Sequence, residues 1–173
     1  MGSVGVHVSY LSAGEEAEWI SAVQASTALH RPWLAPPDTS EGFRAYLERS
    51  RRDDQATWVI RHAECGGLAG YASVNNIVRR ALQSGYLGYG AFAAHAGQGL
   101  MTEGLGLVLD DVFGPLGLHR VEANIQPGNA RSIALVRRLG FAKEGYSPRY
   151  LLVDGDWRDH ERWALRAEEW TRG

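Results

Sequence analysis

Apolar and polar residues alternate one by one over residues 4–11 (VGVHVSYL), the two-residue period of a β-strand. Over residues 13–26 the spacing becomes helical, and Glu15, Glu16 and Glu18 stand early, where the positive end of a helix favours acids. The prolines of residues 30–37 (HRPWLAPP) end that helix. Residues 38–54 predict a second one. Asp38 or Thr39 serves as its cap, and Phe43, Tyr46 and Leu47 share one face. Three runs rich in β-branched and aromatic residues follow: 55–63, 67–78 and 84–92. The segment Glu64-Cys65-Gly66-Gly67 makes a hairpin turn between the first two. From about Gln98 to Phe113, apolar residues recur at helical spacing (Met101, Leu105, Val108, Leu109, Val112), and Gly114-Pro115 stops the helix. Residues 119–126 read as a strand. Pro127-Gly128-Asn129 opens a further helix that closes at Leu139-Gly140. Residues 150–165 then fold as a hairpin around Asp154-Gly155.

The predicted order is therefore β-α-α-β-β-β-α-β-α-β-β. Hairpins link several strands, and a helix links the strands on either side of residues 98–113. That implies an α+β fold with a mixed sheet and at least one parallel neighbour pair. At 173 residues the chain is expected to be a single domain, residues 1–173. Its 45% hydrophobic and 22% charged residues exclude a disordered or fibrous chain. No apolar run approaches the 18 residues of a membrane span. The start, MGSVGVHVSY, has neither the basic and apolar regions of a secretory signal nor Ser or Thr at position 6, so it carries no myristoylation pattern. The lone Cys65 forbids an internal disulfide and fits a reducing, cytoplasmic setting. A net charge of −2 argues against a broadly basic nucleic-acid surface. The six histidines are read as scattered, without ligand spacing, so no metal site is expected. Of the 18 basic residues only Lys143 is a lysine, and it is read as a solvated loop residue. Lysine-based covalent chemistry is therefore not expected.

Chemistry concentrates in residues 85–103 (GYLGYGAFAAHAGQGLMTE). Gly85, Gly88 and Gly90 sit inside an apolar strand, where glycine often marks close approach to the backbone. Gly97-Gln98-Gly99 follows at a helix N-terminus, where free amides and the helix dipole favour an anion such as a phosphate, and Thr102 adds a hydroxyl. A plain glycine-rich turn fits the same residues. A dinucleotide fingerprint does not, because Thr102 stands where its third glycine belongs. No P-loop pattern occurs either.

Residues 97–103 (GQGLMTE), 118–132 (LHRVEANIQPGNARS), 139–146 (LGFAKEGY) and 150–160 (YLLVDGDWRDH), together with 30–34 (HRPWL) and 75–90, give a broader match. The chain resembles the GNAT-type N-acetyltransferases, and within them the RimJ/RimL branch of ribosomal-protein N-terminal acetyltransferases. The resemblance spans about residues 30–165. It implies the GNAT fold: a mixed, mostly antiparallel sheet of about seven strands, with a splayed parallel central pair and flanking helices. It implies acetyl-CoA as co-substrate and direct attack by an amine in a ternary complex. The acceptor it implies is an N-terminal α-amine, alanine on a ribosomal protein. Two alternatives stay open: a small-molecule N-acetyltransferase acting on an aminoacyl conjugate, polyamine or drug, and a weakly catalytic acyl-CoA-binding or ribosome-associated protein. A monomer or homodimer fits either way.

The family's pyrophosphate motif falls on Ala96–Gly97–Gln98–Gly99–Leu100–Met101, with Ala96 replacing a polar residue and Met101 a small one. The residues expected at the cofactor are Gly90, Ala91, Phe92, Gly97, Gln98, Gly99, Leu100, Met101, Thr102, Asn129, Ser132 and Arg137, with Arg131 and Arg138 as further phosphate candidates. Val136 stands where many relatives carry a tyrosine acid, so Ser132 is nominated instead. Asn124 stands where some relatives carry a glutamate base; Glu122, on the same strand face, is the nominated carboxylate. Glu103 and His95 are weaker base candidates. Trp33, Arg79, Tyr86, Tyr150 and Trp157 are the expected acceptor residues, with Arg149, Asp154 and Asp159 beside them. An α-amine suits a site without a strong base. At pH 7 an α-amine of pKa about 7.7 is neutral in roughly one molecule in six, a lysine of pKa about 10.4 in roughly one in 2,500.

Overall fold

The computed structural model describes residues 5–171. The Met-Gly start and Val4, the first residue of the predicted 4–11 run, lie outside that range. Seven strands form one sheet: β1 (Val6–Tyr10), β2 (Ala56–His62), β3 (Leu68–Val78), β4 (Ser84–Ala91), β5 (Arg120–Ile125), β6 (Ala142–Val153) and β7 (Asp156–Arg166). Their spatial order is β1-β2-β3-β4-β5-β7-β6. Only β4 and β5 run parallel. The five α-helices are α1 (Glu16–Ala25), α2 (Thr27–His30), α3 (Ser40–Ser50), α4 (Leu100–Phe113) and α5 (Ala130–Arg138). The α+β order read from the sequence holds, with the short α2 added in the segment where the prolines end α1.

The helices cover both faces of the sheet. On one, Leu105, Val108, Leu109 and Val112 of α4 and Val136 of α5 pack on Trp58, Val74, Leu87, Val121 and Trp163. On the other, Trp19 and Val23 of α1 and Phe43 and Leu47 of α3 pack on Val59, Tyr71 and Phe92. Thr39, not Asp38, caps α3 by accepting the Gly42 N–H at 3.1 Å. Asn129 caps α5 by accepting the Ser132 N–H at 3.3 Å.

The last hairpin differs from the sequence reading. β6 begins at Ala142, eight residues before the predicted start at Tyr150. Its first half alternates polar and small residues because its side chains are largely solvent-facing, so hydrophobic periodicity gave no signal there. Lys143 is exposed, as expected, but it is a strand residue that pairs with Glu161 of β7 at 2.9 Å and not a loop lysine. The Asp154-Gly155 turn is as expected, with φ of 51° and 83°, both in the region a type I′ turn requires.

The feature that positions the site is a failure of pairing. β4 and β5 are in register only over Ser84–Arg120, Gly85–Val121 and Tyr86–Glu122. Beyond those three pairs each strand continues, β4 to Ala91 and β5 to Ile125, without the other. The central parallel pair is splayed.

Candidate active site

A cleft of about 1160 Å³ opens where the two strands part. Leu87 to Ala91 form one wall and Ala123 to Gln126 the other; the turn before α4 and the first half of α5 close its ends.

The β3–β4 ladder decides which amides face this gap. Phe92 donates its N–H to Ala69 O at 2.8 Å, so its backbone points to β3. In an antiparallel ladder successive residues point to alternate sides. The register is regular from Gly70–Ala91 to Asn75–Tyr86. Gly90 and Gly88 therefore also face β3, while Leu87, Tyr89 and Ala91 turn their N–H and C=O groups toward the missing partner. The sequence expectation at Gly90 and Phe92 is corrected accordingly: Gly90 lines the cleft but spends its amide on β3, and the Phe92 ring is fully buried in the core. Gly90 has another role, since a Cβ there would stand 2.7 Å from the Tyr71 ring. The Ala91 carbonyl accepts the Nε2 proton of buried His30 at 2.7 Å. Burial holds the His30 imidazole below its ordinary pKa, which favours the neutral ring, and the Ala91 carbonyl selects the tautomer with the proton on Nε2.

Gly97 and Gly99 both adopt left-handed φ, 78° and 79°. No backbone carbonyl among the described residues receives the N–H groups of residues 97–101; the first bonds into the helix are Thr102 and Glu103 to Gly99 O. This is an amide nest at the N-terminus of a 14-residue helix, the arrangement that binds phosphate. Leu100, Met101 and Thr102 line the same end. Met101 is accommodated because residue 70 is glycine: a Cβ there would lie 2.3 Å from Met101 Sδ. Gln98 is exposed and outside the lining. Arg131 and Arg138 line the cleft, and Arg138 reaches Thr102 Oγ1 at 3.2 Å. Arg137 does not; its guanidinium lies 5.3 Å over the Trp163 ring, so the expectation for it is corrected in favour of its neighbours.

Ser132 is in the cleft as expected, and it has a partner that sequence reasoning missed. The Tyr89 hydroxyl lies 2.5 Å from Ser132 Oγ. Burial pushes the Tyr89 pKa up to about 12, against the pull of the Ser132 hydrogen bond, so the phenol keeps its proton at neutral pH. Tyr89 thus places a phenol beside the helix where Val136 offers none. Val136 itself is fully buried. The signal was a tyrosine between two strand glycines, which was read only as part of the glycine pattern.

Asn124 also lines the cleft, and its Oδ1 is buried without a hydrogen-bond partner, as is Nε2 of Gln126 beside it. Buried polar atoms are normally satisfied, so these two await a polar ligand. Glu122 is not with them. Its carboxylate accepts from Arg120 at 3.0 Å, and Arg120 also binds Glu144. It is outside the lining, and the nomination as base falls. Glu103 accepts the Val6 N–H at 3.3 Å and is likewise outside. Among the described residues the cleft lining holds no carboxylate, but it holds Arg31, Arg49, Arg131 and Arg138.

The acceptor candidates divide. Trp33 lines the main cleft and leans on Gly128 across its mouth, where a Cβ would meet its ring at 3.3 Å. It also lines a smaller adjoining cleft with Trp157, Tyr146 and Asp159. Asp159 accepts from the Tyr146 hydroxyl and the Arg149 N–H, and both hold its carboxyl below the usual range. Arg79 points elsewhere and donates to Leu116 O at 2.7 Å. Tyr86 and Tyr150 line neither cleft. Burial, and then Tyr150 and Glu122 nearby, raise the pKa of the partly exposed Tyr86, and Tyr150 stands edge-on to His160. Asp154 is a turn residue. His95 lines the main cleft, where its ring also approaches His62 and Cys65. That gathering brings together two of the six histidines, which the sequence reading took as scattered.

A splayed parallel pair beside an amide nest matches a known architecture. Residues 11–142 match the family described as the acetyltransferase (GNAT) domain, and the chain belongs to that family. It is 38% identical over 120 residues to the probable N-acetyltransferase YjcK of Bacillus subtilis, covering 69% of this chain and 66% of that one. It is 43% identical over 106 residues to the ribosomal protein uS5-alanine N-acetyltransferase of Escherichia coli, covering 61% of this chain and 55% of that one. The chain thus matches a little over half to about two thirds of the length of these relatives. Among solved structures, RimJ of Mycobacterium smegmatis in complex with CoA-disulfide superposes with a TM-score of 0.88 at 29% identity, covering 98% of this chain and 86% of that one. Acetyl-CoA is the co-substrate of the family, and the residues here fit it: unpaired strand amides for an extended amide-bearing arm, and an arginine-flanked nest for its phosphates.

Proposed function

We propose that the protein transfers the acetyl group of acetyl-CoA to the N-terminal α-amine of a protein, with alanine on a ribosomal protein as the preferred acceptor, in the cytoplasm. The observation that carries this reading is the cleft's lining: free amides on β4, an anion nest, and no carboxylate among the described residues. The Leu87 and Tyr89 N–H groups are directed to polarise a thioester carbonyl as it becomes an oxyanion. The Ser132–Tyr89 pair is a proton source for the departing thiolate. Holding thioester and amine together supplies much of the acceleration. With no carboxylate to deprotonate an ammonium, the acceptor must be neutral in useful amount at working pH, as an α-amine is and a lysine is not. The similarity to the uS5-alanine enzyme supports the same acceptor class.

A second reading comes from a 23% identity over 159 residues to the spermidine N(1)-acetyltransferase of Escherichia coli. A polycation needs several anionic groups at its site; among the described residues the main cleft has four arginines and no carboxylate, and the adjoining cleft has Asp159 alone, already bonded to Tyr146 and Arg149. Mass spectrometry of a mixed panel incubated with acetyl-CoA decides between them. The panel holds peptides beginning with Ala, Ser, Met or Gly, peptides with blocked α-amines and free lysines, and spermidine. Acetylation confined to free α-amines, strongest on alanine, supports the proposal. Transfer to spermidine or lysine side chains refutes it.

A further inference from the structure

At the edge of the main cleft, where His95 lines it, three side chains of metal-ligating chemistry converge from separate segments. His62 ends β2, Cys65 tops the β2–β3 turn, and His95 belongs to the short turn (Ala93–His95) between β4 and α4. One donor atom from each lies within 4.8 Å of the others. Cys65 Sγ is 3.9 Å from His95 Nε2, and the two imidazole rings are 5.1 Å apart between centroids. From this geometry we infer that His62, Cys65 and His95 form a binding site for a borderline-soft divalent cation, zinc in the first instance.

The donor set selects the metal class. Thiolate and imidazole suit zinc, whereas magnesium and calcium take oxygen. Tetrahedral zinc, with bonds of about 2.3 Å to sulfur and about 2.05 Å to nitrogen, sets sulfur and nitrogen about 3.6 Å apart. The 3.9 Å between Cys65 and His95 needs a closure of a few tenths of an ångström, which rotation of the exposed cysteine provides; the His62 donor, within 4.8 Å of the other two, closes by up to about 1.5 Å through rotation of its half-exposed side chain. Room at the site is kept by Gly67, where a Cβ would stand 2.9 Å from His95 Nε2. The His62 Nδ1 lone pair accepts the Glu64 N–H at 3.2 Å. A cation either takes the other ring nitrogen in exchange for its proton or displaces this exposed hydrogen bond. Three protein donors leave a fourth position for water, and binding removes the thiol proton to solvent. A cation here ties the β2–β3 turn to the turn that leads into the Gly97–Gly99 nest, so it anchors the cofactor loop at the cleft's edge. The inference stands independently of which amine is acetylated.

The test uses untagged full-length protein. Cobalt(II) is added as a spectroscopic probe and zinc(II) is titrated calorimetrically, with no acetyl-CoA present. One cation per chain and a near-ultraviolet thiolate-to-cobalt charge-transfer band are expected. Cys65→Ser removes the band, and Cys65→Ser and His95→Ala each weaken zinc by roughly tenfold or more. His119→Ala, at a histidine paired with Glu168 elsewhere, leaves both unchanged. Cys65 is exposed, so the serine variant folds, and thermal melts of each variant verify that. No thiolate band in the unaltered protein, or zinc affinity equal in the unaltered, Cys65→Ser and His95→Ala proteins, overturns the site and leaves only adventitious binding at surface histidines.

Discussion

Replacing Gly99 separates the two demands placed on the turn before α4. Gly99 holds φ of 79° and ψ of −2°, and a Cβ there would find nothing within 4 Å. Gly99→Ala therefore meets no packing penalty, and its stability cost is conformational, about 1–2 kcal/mol for an L-residue in the left-handed region. For a chain of this length that is roughly 2–8 °C in Tm. The same open space is where a phosphate must approach the amides, so the added methyl stands in the ligand's path. Alanine is expected to lower CoA affinity more than tenfold, more than about 1.4 kcal/mol. Asparagine tolerates left-handed φ better than alanine but adds still more bulk. Gly99→Asn should thus regain most of the lost Tm without regaining CoA. Scanning fluorimetry gives Tm and calorimetry gives Kd for CoA. If asparagine restores CoA binding along with Tm, the loss arose from strain, and close approach at Gly99 is wrong. If alanine binds CoA as the native protein does, the turn is not the phosphate site.

Four further substitutions probe the cleft and the core beside it. Tyr89→Phe keeps the ring and deletes the hydroxyl at Ser132; kcat should fall roughly 100-fold with KM for acetyl-CoA within about twofold, and an unchanged kcat removes the pair from the chemistry. Arg138→Ala should raise the Kd for CoA roughly fivefold, with the difference shrinking at high salt, whereas Arg137→Ala should leave CoA alone and lower stability by about 0.5–1 kcal/mol through loss of the Trp163 contact; the reverse pattern would restore Arg137 to the cleft. His30 is held neutral by burial, so the folded protein resists a proton that the unfolded chain accepts below about pH 6.5. That contribution is intact above pH 6.5 and is lost as pH falls below it. Tm between pH 7 and 5 should decline less steeply in His30→Gln, which keeps an N–H for Ala91 O, and an equal slope contradicts the assignment.

How much was legible in the sequence follows from what periodicity can carry. α4 announced itself because Leu105, Val108, Leu109 and Val112 are all fully buried on one face. The amide nest was legible because the two left-handed positions are filled by glycine. The first half of β6 was missed because it lies half in solvent at the sheet edge, where neither face needs an apolar stripe. The catalytic residues were harder still. Glu122 and Asn124 share a strand face by spacing, but only the fold shows that Arg120 and Glu144 hold Glu122 outside the cleft. Arg137 and Arg138 are adjacent in sequence and about 100° apart around α5, so one meets Trp163 and the other Thr102. Tyr89 and Ser132 are 43 residues apart, and no local pattern joins them. The same holds for His95 and the His62–Cys65 pair across the β2–β3 turn.

The central structural claim is that the splayed edge of β4 receives the cofactor's extended arm. Residue-resolved amide hydrogen exchange by NMR, with and without CoA, tests it directly. New protection is expected at Leu87 and Tyr89, together with residues 97–101, while Gly88 and Gly90, already bonded to β3, change little. Protection that leaves Leu87 and Tyr89 exchanging as in the free protein would contradict it, wherever else CoA is bound.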